Sequence, residues 1–434
     1  MARPERSSRG YYGWRIVALM FFTLFFTAGH GFYTFSVYLP RLIEALKCDV
    51  FSATIAVAAW AVVVGLASPV VGAFIQRFGV RNVLIAATAA AGAVALLMSL
   101  VTTLWHLYAI MALSGAVVAA STLVPAQTIV TVWFRKYRGR AMALTLMGIG
   151  LGGLLLPPIT SYLIAHLGWR GAYRVIGLLF YVVVLPPLVL FLKNRPADVG
   201  QARDGLTPEE EGGATLHTPS GVSMPRAVRS LSFWLIAGIY VLQLYATSAV
   251  AMNTQVFAEH QGFSVMTAPL FMALALGVTL PGRFVTGVLC DRFSPKGLMA
   301  IAGLFVAAGP VALEVCVVKL GWIDFRAVGV FALLQGGAVA TNAIVLPVLV
   351  GRCFGDREFS KIMGLIMVGF AIGILLGPTS AGRIFDKTGS YEMAFFICIA
   401  CGLLSVVLAL LIRPDALHAE FGNVARTADG AAAT

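Results

Sequence analysis

The sequence predicts an all-α membrane protein of twelve transmembrane helices, arranged as two pseudo-symmetric six-helix bundles. Three observations carry this prediction. The 434 residues are 59% hydrophobic and only 12% charged, with a mean hydropathy of +0.89, far more apolar than an ordinary soluble domain. Apolar runs of about 20 residues, each able to cross about 30 Å of hydrocarbon, recur along the chain. One long polar stretch divides them into six and six, and the two halves repeat each other.

The spans, numbered 1 to 12 in chain order, fall near 14–39, 53–76, 83–103, 106–133, 141–166, 171–192, 233–258, 267–290, 297–318, 327–351, 362–386 and 391–412. Span 1 follows Arg3, Arg6 and Arg9, a basic start that a secretory leader would share. Its apolar run is longer than a leader's and lacks a small-residue cleavage site, so it is kept as a span. Residues 193–230 are the Pro/Gly-rich polar stretch and form a central loop. The expected organisation is a first bundle over 1–192, the loop 193–230, a second bundle over 231–412 and a tail over 413–434.

Lys and Arg fix the expected orientation. Arg77 and Arg81, then Arg135, Lys136, Arg138 and Arg140, then Lys193, Arg195, Arg226 and Arg229, then Arg292 and Lys296, then Arg352, Arg357 and Lys361 fall in alternate loops together with both termini. The positive-inside rule puts these loops and both ends in the cytoplasm of a cell-membrane protein. The net charge of +12 follows from this bias and from contact with anionic membrane lipids, and argues against a nucleic-acid partner. The six cysteines are scattered, and the close pair Cys398 and Cys401 lies inside span 12, where small buried hydrophobes are the simplest reading.

The repeat is visible in two segments. GAFIQRFGVR (72–81) aligns with GVLCDRFSPK (287–296), and RAMALTLMGIGLGGLLLP (140–157) aligns with KIMGLIMVGFAIGILLGP (361–378). In the second pair Met142, Leu144, Gly148, Gly152 and Pro157 each meet an identical residue at a constant offset. Duplicated six-helix halves place a substrate site near the midplane between them. The Gly-rich spans 5 and 11 read as close helix packing, which sliding between two states would also use.

The first pair of segments resembles the G-x-x-x-D-R-x-G-x-R loop signature of the major facilitator superfamily. In the first half Gly72, Arg77 and Arg81 stand in place with Gln76 at the acidic position, and in the second Gly287, Asp291 and Arg292. The resemblance implies the major facilitator fold and a cytoplasmic charge clamp between helix ends; a solvated basic loop is the alternative. Within that superfamily the chain resembles the monocarboxylate transporters and bacterial relatives such as the oxalate:formate antiporters, on GYYGW (10–14), WFRKYRGRAMALTLMGIG (133–150) and RSLSFW (229–234).

LGVTLPGRFVTGVLC (276–290) carries one strong cation, Arg283, inside span 8. A guanidinium at mid-membrane costs about 2.5 to 3.5 kcal/mol on insertion scales. Span 8 holds no Asp or Glu before Asp291, two turns away. A planar fork of donors matches a carboxylate and stays charged, and the resemblance implies that an arginine here binds the substrate carboxylate. Pro281 and Gly282 would let the helix bend at the site.

The oxalate-transporting relatives carry a second cation in span 11, where this chain has Phe370, and the animal carriers a lysine in span 1, where it has Tyr33. One fixed charge argues for a monoanion. The animal relatives also have an aspartate one turn before the arginine, where Thr279 stands here and cannot titrate. His30 of span 1 is the titratable side chain at mid-depth suited to a proton, though a structural histidine is the alternative. Glu259 and His260 at the outer end of span 7, and Glu314 of span 9, are weaker candidates placed at the extracellular rim. Gln127, Asn253 and Asn342 are polar groups within spans; Gln127 and Asn342 correspond across the repeat, and either face the cavity or bond neighbouring helices.

The sequence carries no H-E-x-x-H, G-x-S-x-G or phosphate-loop motif, which argues against an enzyme, and no cofactor is expected. The 22 residues between 413 and 434 are expected to be too short for a sensor's cytoplasmic domain. The expected function is proton-coupled symport of a lactate- or pyruvate-like monocarboxylate by a monomer, with organic-anion exchange as the alternative.

Overall fold

The computed structural model describes residues 11–205, 221–264, 267–268, 270–321 and 325–412. Arg3, Arg6, Arg9, part of the central loop and the tail 413–434 lie outside the described residues. The described chain is almost entirely helical, with ten segments long and apolar enough to cross a membrane.

Two of the ten are hairpins. Val50–Met98 runs for 49 residues, about 74 Å at the helical rise and more than twice the hydrocarbon thickness. It turns at Gly79, whose φ of 81° and ψ of 156° break the helix, and Arg138–Phe191 turns likewise at Gly168, φ 68° and ψ 167°. A side chain at a positive φ of this kind would be strained, so the connections need glycine. Each hairpin supplies two crossings, so the ten segments make the twelve spans expected: 2 and 3 from the first hairpin, 5 and 6 from the second. Leu66, Val182, Leu231, Leu333 and Phe396 project from the outer faces, each more than half exposed, as lipid-facing residues would.

Small residues let the spans approach. A Cβ on Gly148 or Gly152 of span 5 would collide with the carbonyls of Phe21 or Phe25 of span 1. In the second half Gly369 and Gly373 of span 11 meet Val241 and Leu244 of span 7. The aligned glycines thus perform equivalent packing in both halves. Inside span 1 the helix widens into a π turn over Gly29–Tyr33, then continues as Phe35–Leu46.

The halves meet along two seams, span 2 against span 11 and span 5 against span 8. At their basic end the central loop is fastened to both halves. The Asp204 carboxylate accepts from the amides of Arg135 (2.9 Å), Lys136 (2.7 Å) and Tyr137 (3.3 Å), between spans 4 and 5. Arg203 forms a buried ion pair with Asp356, between spans 10 and 11. Val222 donates its amide to Phe354 O (2.9 Å), and Met224 donates to Glu358 Oε2 (2.6 Å). The loop read from sequence as a divider is therefore also a strap across the two halves.

Candidate functional site

Arg283 lies nine residues before Arg292, the end of its helix, about 14 Å along the axis and near mid-membrane. It is 6% exposed. Its Nη1 donates to Leu146 O of span 5 at 2.6 Å, while its Nε is buried without a partner. Room for the guanidinium comes from Gly150, where a Cβ would stand 3.4 Å from Arg283 Nη1. One helical turn on, Gly153 accepts the ring of Tyr33, which places that residue against the same span. Span 5, read from its glycines only as a packing helix, is thus part of the site's wall.

Among the described residues no carboxylate pairs with Arg283. A buried guanidinium with an unmet N–H and no acid beside it is ready to receive an anion. Thr279, one turn earlier, is buried and donates to Leu276 O within its own helix (2.6 Å).

The expected clamp residues divide. Asp291 accepts from the Gly139 amide (2.7 Å) and the Arg140 amide (3.3 Å) and pairs with the Arg140 guanidinium as an ion pair (3.3 Å to Nε), joining span 8 to span 5 at the basic end. Gly287 packs there against Gly139 O and the Ala143 side chain. On the other seam Gly72 has no room for a side chain beside Ser360, whose hydroxyl donates to Gly72 O (2.9 Å). Gln76, at the acidic position, donates to Arg357 O (3.0 Å). One seam is thus closed by charge and the other by neutral hydrogen bonds. Arg77 lies over the Phe78 ring, Arg81 binds Val189 O (2.8 Å) within the first half, and Arg292 is exposed, so these three do not bridge the halves.

His30 does not share the surroundings of Arg283. Its ring lies among Tyr38, Tyr173 and Phe180 inside the first bundle, and Nδ1 meets Thr34 Oγ1 at 2.9 Å. Phe370 packs edge-on to Phe32 (6.1 Å) beside a small apolar void between spans 1, 2, 4 and 11. Asn342 donates to Gln243 Oε1 (2.7 Å), and Asn253 donates to Ala249 O (2.9 Å) and accepts from Tyr391 (3.4 Å). Both asparagines therefore take the helix-bonding alternative. Gln127 is buried with an unpartnered Oε1. Glu259 and His260 are exposed, Glu259 accepting from Gln255 (3.0 Å) and His260 lying against Phe385. Glu314 lies in a π turn ending span 9.

Sequence reading missed Gln243, fully buried and bonded to Asn342, Ser405 and Met299 O, and Gln335, which donates to Thr247 O. Their signal was available, as amides within apolar runs. Among the described residues no group of His, Cys, Asp and Glu could hold a metal.

A family model described as Major Facilitator Superfamily matches residues 20–323 and 315–430. The chain is 25% identical over 418 residues to the uncharacterized transporter ESBP6 of Saccharomyces cerevisiae, covering 93% of this chain and 59% of the relative. It is 25% identical to monocarboxylate transporter 12-B of Danio rerio (69% of this chain, 66% of the relative). It is 24% identical to monocarboxylate transporter 1 of Rattus norvegicus (93% and 84%). The chain thus spans less than two thirds of the length of the first two. Among solved structures, the proton:xylose symporter XylE superposes with a TM-score of 0.68 at 14% identity, over 91% of this chain and 94% of that one, a likeness of fold.

Proposed function

Because the chain belongs to the Major Facilitator Superfamily, we propose that this multi-pass transporter carries small monocarboxylates, lactate- or pyruvate-like, by alternating access. The observation that carries the reading is the buried Arg283 with its unmet N–H and no acid in reach. Its guanidinium pairs with the substrate carboxylate while Tyr33, from the other half, stands beside it. The similarity to monocarboxylate transporters supports the substrate class, and a single mid-membrane cation favours a monoanion over a dianion.

A proton accompanies the anion, with His30 as its carrier. The basic end faces the cytoplasm with both termini, the Asp291 clamp closes that side, and the protein works as a monomer in the cell membrane. Exchange of organic anions is the second reading, favoured by Thr279 where the animal relatives carry an aspartate.

Uptake of labelled lactate into proteoliposomes tests both. Symport expects uptake driven by an inward proton gradient. Stimulation only by internal anion would establish exchange, and no uptake of lactate, pyruvate or formate under either condition would overturn the monocarboxylate reading.

A further inference from the structure

A cavity of about 40 Å³ lies inside the first bundle, between spans 1, 2, 3, 4 and 6. One water needs roughly 10 to 15 Å³ of such space, so it has room for two or three. Most of its wall is apolar, but polar side chains line it too, and three of them matter here. Ser114 Oγ and the Tyr173 hydroxyl line it and have no hydrogen-bond partner among the described residues. His30 is the third, with Nδ1 held by Thr34 and no protein partner at Nε2 among the described residues. Each orphaned donor would cost about 1 to 3 kcal/mol if the cavity were dry, and a site with several polar partners is one that water fills.

We propose that this cavity is a built water site, holding two or three ordered waters that bridge Ser114 Oγ, the Tyr173 hydroxyl and His30, and that these waters carry the His30 proton. The proton and the anion then occupy separate places, the proton inside the first bundle and the carboxylate at Arg283. His30 and Tyr173 are the titratable groups lining the cavity, with Tyr38 stacked on Tyr173 behind, and no acid or cation lines it. The water site stands on the cavity alone; the proton's route rests on the reading of His30 given above.

Radiolytic hydroxyl labelling of the full chain in detergent, read by mass spectrometry, tests the water. Met98 and Met111 line the cavity at 3% and 6% exposure, whereas Met142 and Met299 are fully buried and do not line it. Water in the cavity predicts oxidation of Met98 and Met111 at least fivefold faster than of Met142 and Met299. Ala95→Leu, which fills the space, should remove that difference, as should Ser114→Val in a second, independently folded variant. Equal protection of all four methionines, or labelling that survives both variants, overturns the water site. If the filled variants lose the labelling but keep full pH-driven uptake, the proton route is overturned and the water site stands. Unchanged pH-driven uptake in His30→Ala, with labelling intact, separately removes His30 as the carrier.

Discussion

Arg283 Nη1 and Leu146 O lie 2.6 Å apart, so the mid-membrane cation of the second half rests on a backbone carbonyl of the first. On the proposed function an arriving carboxylate would offer that guanidinium a charged acceptor in place of a neutral one, and would accept from Nε as well.

Arg283→Ala should therefore abolish substrate binding and uptake in proteoliposomes while leaving a folded, monodisperse protein. Arg283→Lys should retain only a few per cent of uptake, since a point charge replaces a two-pronged donor. Full uptake by the alanine variant would refute the anchor assignment.

Tyr33→Phe removes one hydroxyl beside the anchor and keeps the ring that fills the space over Gly153. Loss of one hydrogen bond of about 0.5 to 1.5 kcal/mol raises KM for lactate roughly 2- to 12-fold. Concentration-dependent uptake checks this, and an unchanged KM would place Tyr33 outside the binding step.

Asp291→Ala deletes the acceptor of two span 5 amides and the ion-pair partner of Arg140 at the basic end. Hydrogen bonds to a charged group are worth more than neutral ones, discounted here because Arg140 is partly exposed. A shift of about 1.4 kcal/mol is tenfold in population. Cys290, buried beside this clamp, is the built-in reporter: with the other cysteines replaced, its alkylation should be about tenfold faster in the variant. An unaltered rate would show that the clamp does not hold the closed state.

Glu358 lies outside the spans and accepts from the Met224 amide and from Lys361 Nζ at 3.2 Å. Burial raises its carboxyl, but the Met224 amide, Lys361 and Arg357 outweigh that and hold it below the ordinary carboxylate range. A folded value below the unfolded one gives stability that is complete above the unfolded value of about 4.5 and fades as pH falls through the lower, folded value. Thermal unfolding of wild type and Glu358→Gln should differ at pH 7 and converge toward pH 3. A constant gap across that range would contradict the assignment.

The spans were legible because hydrocarbon thickness sets their length and the basic loops sit at one end. Arg283 was legible because a cation in an apolar run needs a reason. The surroundings of His30 and Tyr33 were not. Three residues apart, they would share a face of an α-helix, but the π turn over Gly29–Tyr33 takes an extra residue per turn and lets them diverge. One then points into the bundle and the other toward span 5. Asn253 and Asn342 show the same limit, since nothing in a sequence says whether an amide in a span meets a cavity or the next helix. Asp204 was invisible for a different reason: its partners are backbone amides, which every loop possesses.

The strap at the basic end also decides how the chain could be divided. A break placed between Gly205 and Gly221 leaves Arg203 and Asp204 on the leading fragment, with Val222 and Met224 on the trailing one. Arg203 would reach across to Asp356 of the other fragment, while Asp204 and the pair of amides at 222 and 224 would each remain with partners on their own piece. At the cut the two fragments would thus keep their local bonds and share one buried ion pair, which would add to the seams where Asp291 meets Gly139 and Gly72 meets Ser360 in guiding one piece onto the other.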